Sequence, residues 1–265
     1  MSELSIHQLE YIKQKLRYKR SVTIYRIIIF IVFLLLWQFT ASVGIIDSFI
    51  FSSPLKIFTC FYKLLLDGTI LHHIFITVTE TFVSFMLVIL IGILISVLLW
   101  SNEKLSEILE PYLVVLNSLP KSALAPLLIV WLGASMKTII VAGISVAIFG
   151  TIISLYAGFK EVDADKIKLI YTLGGRKRNV LLKVVLPSSI PLIISTTKVN
   201  IGLSLVGVVI GEFLAARSGL GYLIIYGSQV FKLDLVIMSI VILCIIAMGL
   251  YKGINLIEKY YLKHL

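Results

Sequence analysis

Residues 74–100 read IFITVTETFVSFMLVILIGILISVLLW, and Glu80 is the single formally charged side chain among them. A helix needs about 20 apolar residues to cross a hydrocarbon core of roughly 30 Å, so this block is long enough to span a bilayer. Inside lipid the backbone must satisfy its own hydrogen bonds, which makes the block a helix. Five further blocks have comparable length: Ile24 to Val43, Tyr112 to Trp131, Ile139 to Phe159, Leu192 to Ile210 and Leu235 to Tyr251. Asn117, Pro120, Lys121 and Pro126 interrupt the block from Tyr112. The expected fold is all-α and integral to the membrane, with six transmembrane helices over 24–265 behind a cytoplasmic basic leader over 1–23.

Composition supports a lipid environment. Hydrophobic residues make up 59% of the 265 and charged residues 14%, against roughly 45 to 50% and about 25% in soluble domains. The formal charge of +10 raises nucleic acid as a partner, but the basic residues flank apolar blocks and no basic run is interleaved with aromatics. The bilayer is the expected partner and nucleic acid is not. Cys60 and Cys244 stand far apart in no metal-like or redox-like spacing and read as two packed thiols. The first apolar block is expected to be retained. Its polar leader is long, its apolar run exceeds a signal core, and Thr40-Ala41-Ser42-Val43 is a poor cleavage site.

With the N-terminus in the cytoplasm, that side collects Lys13, Lys15, Arg17, Lys19, Arg20, Arg26 and Lys104. It also takes Lys160, Lys166, Lys168, Arg176, Lys177, Arg178, Lys183, Lys252, Lys259 and Lys263. The opposite side holds chiefly Lys56, Lys63, Lys137, Arg217 and Lys232, as the positive-inside rule requires. Glu103, Glu107 and Glu110 outnumber Lys104 in one cytoplasmic loop, but acidic residues contribute little to that rule. Both termini and the stretch from Lys160 to Pro187 are therefore expected to be cytoplasmic. From Pro54 to Asp67, Leu55, Phe58, Phe61, Tyr62 and Leu65 recur at helical spacing and predict a short helix on the outer face.

Within the stretch 160–187, Asp163 or Asp165 can cap a short helix, Ile167, Ile170 and Tyr171 recur on one face, and Gly174-Gly175 provides a stop. A second helix runs through Val180, Leu181, Val184 and Val185 to Leu186-Pro187, where proline can begin the next helix. Two readings are open. A helix-Gly-helix between spans is a handle by which a partner moves membrane helices as rigid bodies, or it is an ordinary solvated loop.

Here the chain resembles the inner-membrane permeases of binding-protein-dependent ABC importers, particularly the nitrate, sulfonate and taurine branch. Their cytoplasmic signature is Glu-Ala-Ala, three residues, Gly, nine residues, Ile, one residue, Leu-Pro. The corresponding positions are Lys168-Leu169-Ile170, Gly174, Val184 and Leu186-Pro187, with every spacing kept and the opening Glu-Ala-Ala replaced. The stretch Leu119 to Leu127 (LPKSALAPL), followed by Trp131-Leu132-Gly133, is similar to the branch's proline-broken third region. Gly211-Glu212-Phe213 with Ser218 to Leu223 (SGLGYL) is similar to its outer-side turn before the last span. The resemblance runs from about Phe51 to the C-terminus.

It implies the MetI-like architecture of a type I importer permease and an ATPase-coupling loop carried by the seven matched positions. It also implies a second permease copy across the substrate path, two ATP-binding cassette subunits and an extracytoplasmic substrate-binding protein. ATP and Mg belong to the partner ATPase, and no cofactor is expected in this subunit. The chain itself lacks a Gly-x-x-x-x-Gly-Lys-Ser/Thr phosphate loop, and Gly174-Gly175-Arg176-Lys177 has the wrong spacing.

Glu80 and Lys198 lie in or near apolar spans, where a charge is costly and faces protein or water. Either they line the translocation path or they snorkel or pair structurally. Pro120 and Pro126 are either helix kinks or a break exposing backbone groups to that path. Gly219 and Gly221 serve a tight outer turn with Glu212, or contact the binding protein directly. An intramembrane protease is the rival class, since Gly202-Leu203-Ser204-Leu205 places a serine in a span. The expected second glycine is absent, and His7, His72, His73 and His264 fall outside the expected spans. A secondary transporter or channel is the other rival, distinguished by uptake on an ion gradient alone. Nitrate, sulfonates, taurine and vitamin precursors all suit the branch as substrate.

Overall fold

A computed structural model describes residues 6 to 262, and every regular element among them is a helix. Helix α1 (Ile6–Val43) joins the basic leader to the first apolar block without interruption. No glycine or proline falls between its ends, so the boundary expected at residue 23 is a change of chemistry and not of conformation. Helix α2 (Pro54–Leu66) is the predicted short helix, with Ser53 accepting the Lys56 N–H as its cap and Pro54 at its first position.

Helix α3 (Thr69–Ser101) begins five residues before the expected span and takes His72 and His73 into its first turns. These two histidines, expected outside the span, are part of the helix that forms it, while His7 lies in α1 and His264 lies outside the described residues. The third expected span, Tyr112 to Trp131, is not one helix. It is α4 (Glu103–Ser118) followed by α5 (Lys121–Leu132), bent by 97°. Leu119 precedes a proline and is pushed into extended conformation, and Pro120 follows it there.

Helix α6 (Met136–Lys160) leads into the loop helices α7 (Ala164–Thr172) and α8 (Lys177–Val180). A π-helical turn at Leu181–Val185 carries α8 directly into α9 (Leu186–Ala215). Pro187 therefore begins no separate helix. Its missing N–H and bulky ring are absorbed by the wider turn, in which the Leu186 N–H donates to Leu181 O. Helices α10 (Leu220–Gln229) and α11 (Leu233–Leu262) complete the described chain.

The core is the packing of α3, α6 and α9. Lipid is as apolar as leucine, so helices associate in it through close contact of small residues and through interhelical hydrogen bonds. Ser84 Oγ donates to Ile140 O at 3.2 Å and Ser96 Oγ to Ile152 O at 3.1 Å, a constant offset that makes α3 and α6 parallel. Helix α9 runs antiparallel to them. A Cβ on Gly207 would lie 2.8 Å from Gly143 Cα, and one on Gly211 would lie 3.0 Å from Ile139 Cα. The start of α3, the start of α6 and the end of α9 thus share one end of the bundle with α2, α10 and the start of α11. The loop 160–187 lies at the other end, as do the start of α1 and the end of α11.

Candidate functional site

At the loop end, the Asp163 side chain caps α7 by accepting the Asp165 N–H at 2.9 Å, and the chain reverses at Gly174, whose φ is +78°. The Gly174 N–H donates to Tyr171 O at 2.9 Å and the Gly175 N–H to Ile170 O at 2.8 Å. These two bonds are the Schellman closure of a helix C-terminus. Each glycine is required for its own reason. Gly174 adopts a left-handed conformation, whereas a Cβ at Gly175 would lie 2.7 Å from Ile170 O.

Ile167 and Ile170 pack inward against a cluster of Leu155, Phe159, Val180 and Val185. Tyr171, expected on the same face, is instead exposed. Of the seven positions matched to the coupling signature, Val184 is buried, Ile170 and Leu186 are half-buried, and Lys168, Leu169, Gly174 and Pro187 are exposed. Leu169 is 58% exposed and Leu173 74%. The loop thus turns apolar side chains outward from a base seated on α6 and α9, while Lys168 pairs with exposed Asp165 at 3.5 Å.

At the opposite end, three consecutive backbone N–H groups at the start of α10 are capped by side chains from two other helices. The Gly219 N–H donates to His73 Nδ1 at 2.9 Å, the Leu220 N–H to Thr77 Oγ1 at 2.8 Å, and the Gly221 N–H to Glu212 Oε2 at 2.5 Å. Thr77 in turn donates its hydroxyl to Glu212 Oε1 at 2.6 Å. These are the orphan donors that every helix N-terminus must satisfy. Glu212 is 1% exposed and Glu80 is 2% exposed, and the Glu80 carboxyl lies against that of Glu212. A Cβ at Gly219 or Gly221 would collide with the Glu212 carboxyl. Both glycines are therefore required by the close approach of that side chain.

Glu80 and Lys198 do not meet. Lys198 precedes Glu212 by 14 residues, about 21 Å along a helix, and its ammonium pairs with Glu258 of α11. The two prolines of the third region also part company. Pro120 stands at the 97° bend, where Lys121 Nζ donates across the break to Leu116 O, while Pro126 sits within α5. Glu80 lines a cavity of about 390 Å³ with Ser135, Ala216 and Arg217.

His73, Thr77 and Glu258 were not singled out from the sequence. Thr77 had a signal: Thr77, Thr81 and Ser84 recur at spacings of four and three on one face of α3, and all three are buried. His73 and Glu258 had none, because their partners lie 146 and 60 residues away in the chain.

Residues 88–256 match the family described as binding-protein-dependent transport system inner membrane component. That segment contains the loop and the Gly219 turn, while Thr77 and Glu80 precede it. The chain is 30% identical over 225 residues to a probable ABC transporter permease protein of Haemophilus influenzae, covering 84% of this chain and 91% of that one. It is 26% identical over 232 residues to the putative aliphatic sulfonates transport permease protein SsuC of Bacillus subtilis, covering 88% and 84%. Its fold is similar to a chain of the MetNI methionine ABC transporter in an inward-facing conformation, with TM-score 0.63, 19% identity, and coverage of 74% of this chain and 97% of that one. The chain belongs to the binding-protein-dependent transport system inner membrane components and is a multi-pass membrane permease of an ABC importer.

Proposed function

We propose that this permease couples ATP hydrolysis in a partner to inward passage of a small solute through the loop at 160–187. The observation that carries the reading is the Gly174 turn: it holds Lys168, Leu169 and Leu173 outward on a base that continues, through the π turn, into α9. A force applied to α7 and α8 then reaches the α3–α6–α9 core without crossing a flexible joint. Two ATP-binding cassette subunits supply the nucleotide site, with ATP and Mg, which the absence of a phosphate loop withholds from this chain. A second copy of the permease completes the path, and an extracytoplasmic binding protein delivers the substrate. The substrate belongs to the nitrate, sulfonate, taurine or vitamin-precursor class, a range consistent with the sulfonate permease among its relatives.

The loop and both termini face the cytoplasm in this reading. The charge distribution supports it, with Arg176, Lys177, Arg178 and Lys183 all at the loop end. Lys177→Cys, placed in a Cys60→Ser, Cys244→Ser background, is expected to resist a membrane-impermeant maleimide in intact cells and to react after permeabilisation. Labelling in intact cells would reverse the orientation and remove the loop from the ATPase side.

A further inference from the structure

Lys56, Lys63 and Lys232, three of the five basic residues on the expected outer side, line one cavity of about 540 Å³ between α2 and the turn joining α10 to α11. Lys56 and Lys63 are seven residues apart and share a face of α2. Among the described residues the ion pairs are Lys168–Asp165 and Lys198–Glu258, so none of the three cavity lysines has a carboxylate partner among those residues. Lys56 Nζ donates to Ser48 O at 3.1 Å and to Ser48 Oγ at 3.0 Å, which holds it in place without neutralising it. Asp67 and Asp234 also line the cavity, and Asp234 accepts the Ser52 hydroxyl at 2.6 Å. The lining carries three cations against two carboxylates.

The neighbouring face of α2 exposes Leu55, Phe58, Tyr62 and Leu66, and Phe49 and Phe231 stand exposed on the cavity lining. A cationic stripe beside an apolar one is the arrangement of a helix lying in a membrane interface. The lysines beside an apolar rim suit a ligand that carries an anionic group and hydrocarbon together. We propose that this cavity binds the phosphodiester headgroup of an anionic phospholipid, with its acyl chains against the exposed face of α2, clamping α2 to the start of α11. The leaflet assignment rests on the topology proposed above; the binding itself does not.

Native mass spectrometry of the full-length chain, released from detergent with phosphatidylglycerol titrated in, tests this without measuring transport. The parent is expected to retain one more tightly held phosphatidylglycerol per chain than the variant Lys56→Gln/Lys63→Gln/Lys232→Gln, in which affinity at that site falls at least tenfold. The control Lys104→Gln/Lys166→Gln/Lys183→Gln should keep that lipid, and phosphatidylcholine or excess inorganic phosphate should not displace it. Equal retention by the cavity variant, or equal loss from the control, would overturn the proposal. Displacement by inorganic phosphate or by a purified binding protein would assign the cavity to those ligands instead.

Discussion

Gly174→Val should reduce uptake at least tenfold while leaving the chain at normal abundance in the membrane. At φ +78° a β-branched side chain meets its own backbone, at a cost of roughly 1 to 3 kcal/mol. The chain can avoid that cost only by abandoning the left-handed turn, which breaks the bonds from the Gly174 and Gly175 N–H groups to Tyr171 and Ile170. Helix α7 then loses its fixed angle to α8, and Leu169 and Leu173 no longer stand where a partner can grip them. No side chain packs within 4 Å of where the new Cβ would sit, so the damage is conformational and local. The readouts are membrane abundance, co-purification of the ATPase and substrate uptake. Normal uptake with normal ATPase association would detach Gly174 from coupling and leave the loop supported by spacing alone.

Glu212→Ala should fail differently, by weakening the folded permease itself. Removing the carboxyl orphans the Gly221 N–H and the Thr77 hydroxyl, both buried. Two buried donors left without acceptors, at about 1 to 3 kcal/mol each, cost about 2 kcal/mol or more. The N-terminus of α10 also loses its tie to α9. Glu212→Gln keeps one carbonyl acceptor and should lie between the parent and the alanine variant. The thermal unfolding midpoint of the purified chain and its uptake report the two effects. An alanine variant as stable as the parent would show that the start of α10 finds other partners.

Elements marked by local chemistry were legible in the sequence. The apolar blocks, the Gly174 stop and the disruption around Pro120 each follow from residues a few positions apart. The outer turn at Gly219 was equally readable as a turn. What joins it to the bundle was not, because the acceptors for its N–H groups come from His73, Thr77 and Glu212 on two other helices. The same reason hid the true neighbours of Glu80 and Lys198: the charge of each was plain, but its partner is set by how α3, α9 and α11 pack. Tyr171 and Pro187 were misplaced for another cause. Helical spacing puts Tyr171 beside Ile170, yet the cluster of Leu155, Phe159, Val180 and Val185 beneath α7 covers Ile170 and leaves Tyr171 exposed. A proline after a leucine reads as a helix start whether or not a π turn carries the helix through it.

The most direct measurement of the central claim is substrate uptake into proteoliposomes containing the purified permease, with its co-purifying ATP-binding subunit and binding protein added or withheld. Uptake should require all three proteins together with ATP and Mg on the side of the ATP-binding subunit, and it should persist when ion gradients are collapsed. Uptake by the permease alone, driven by an ion gradient without ATP, would contradict it.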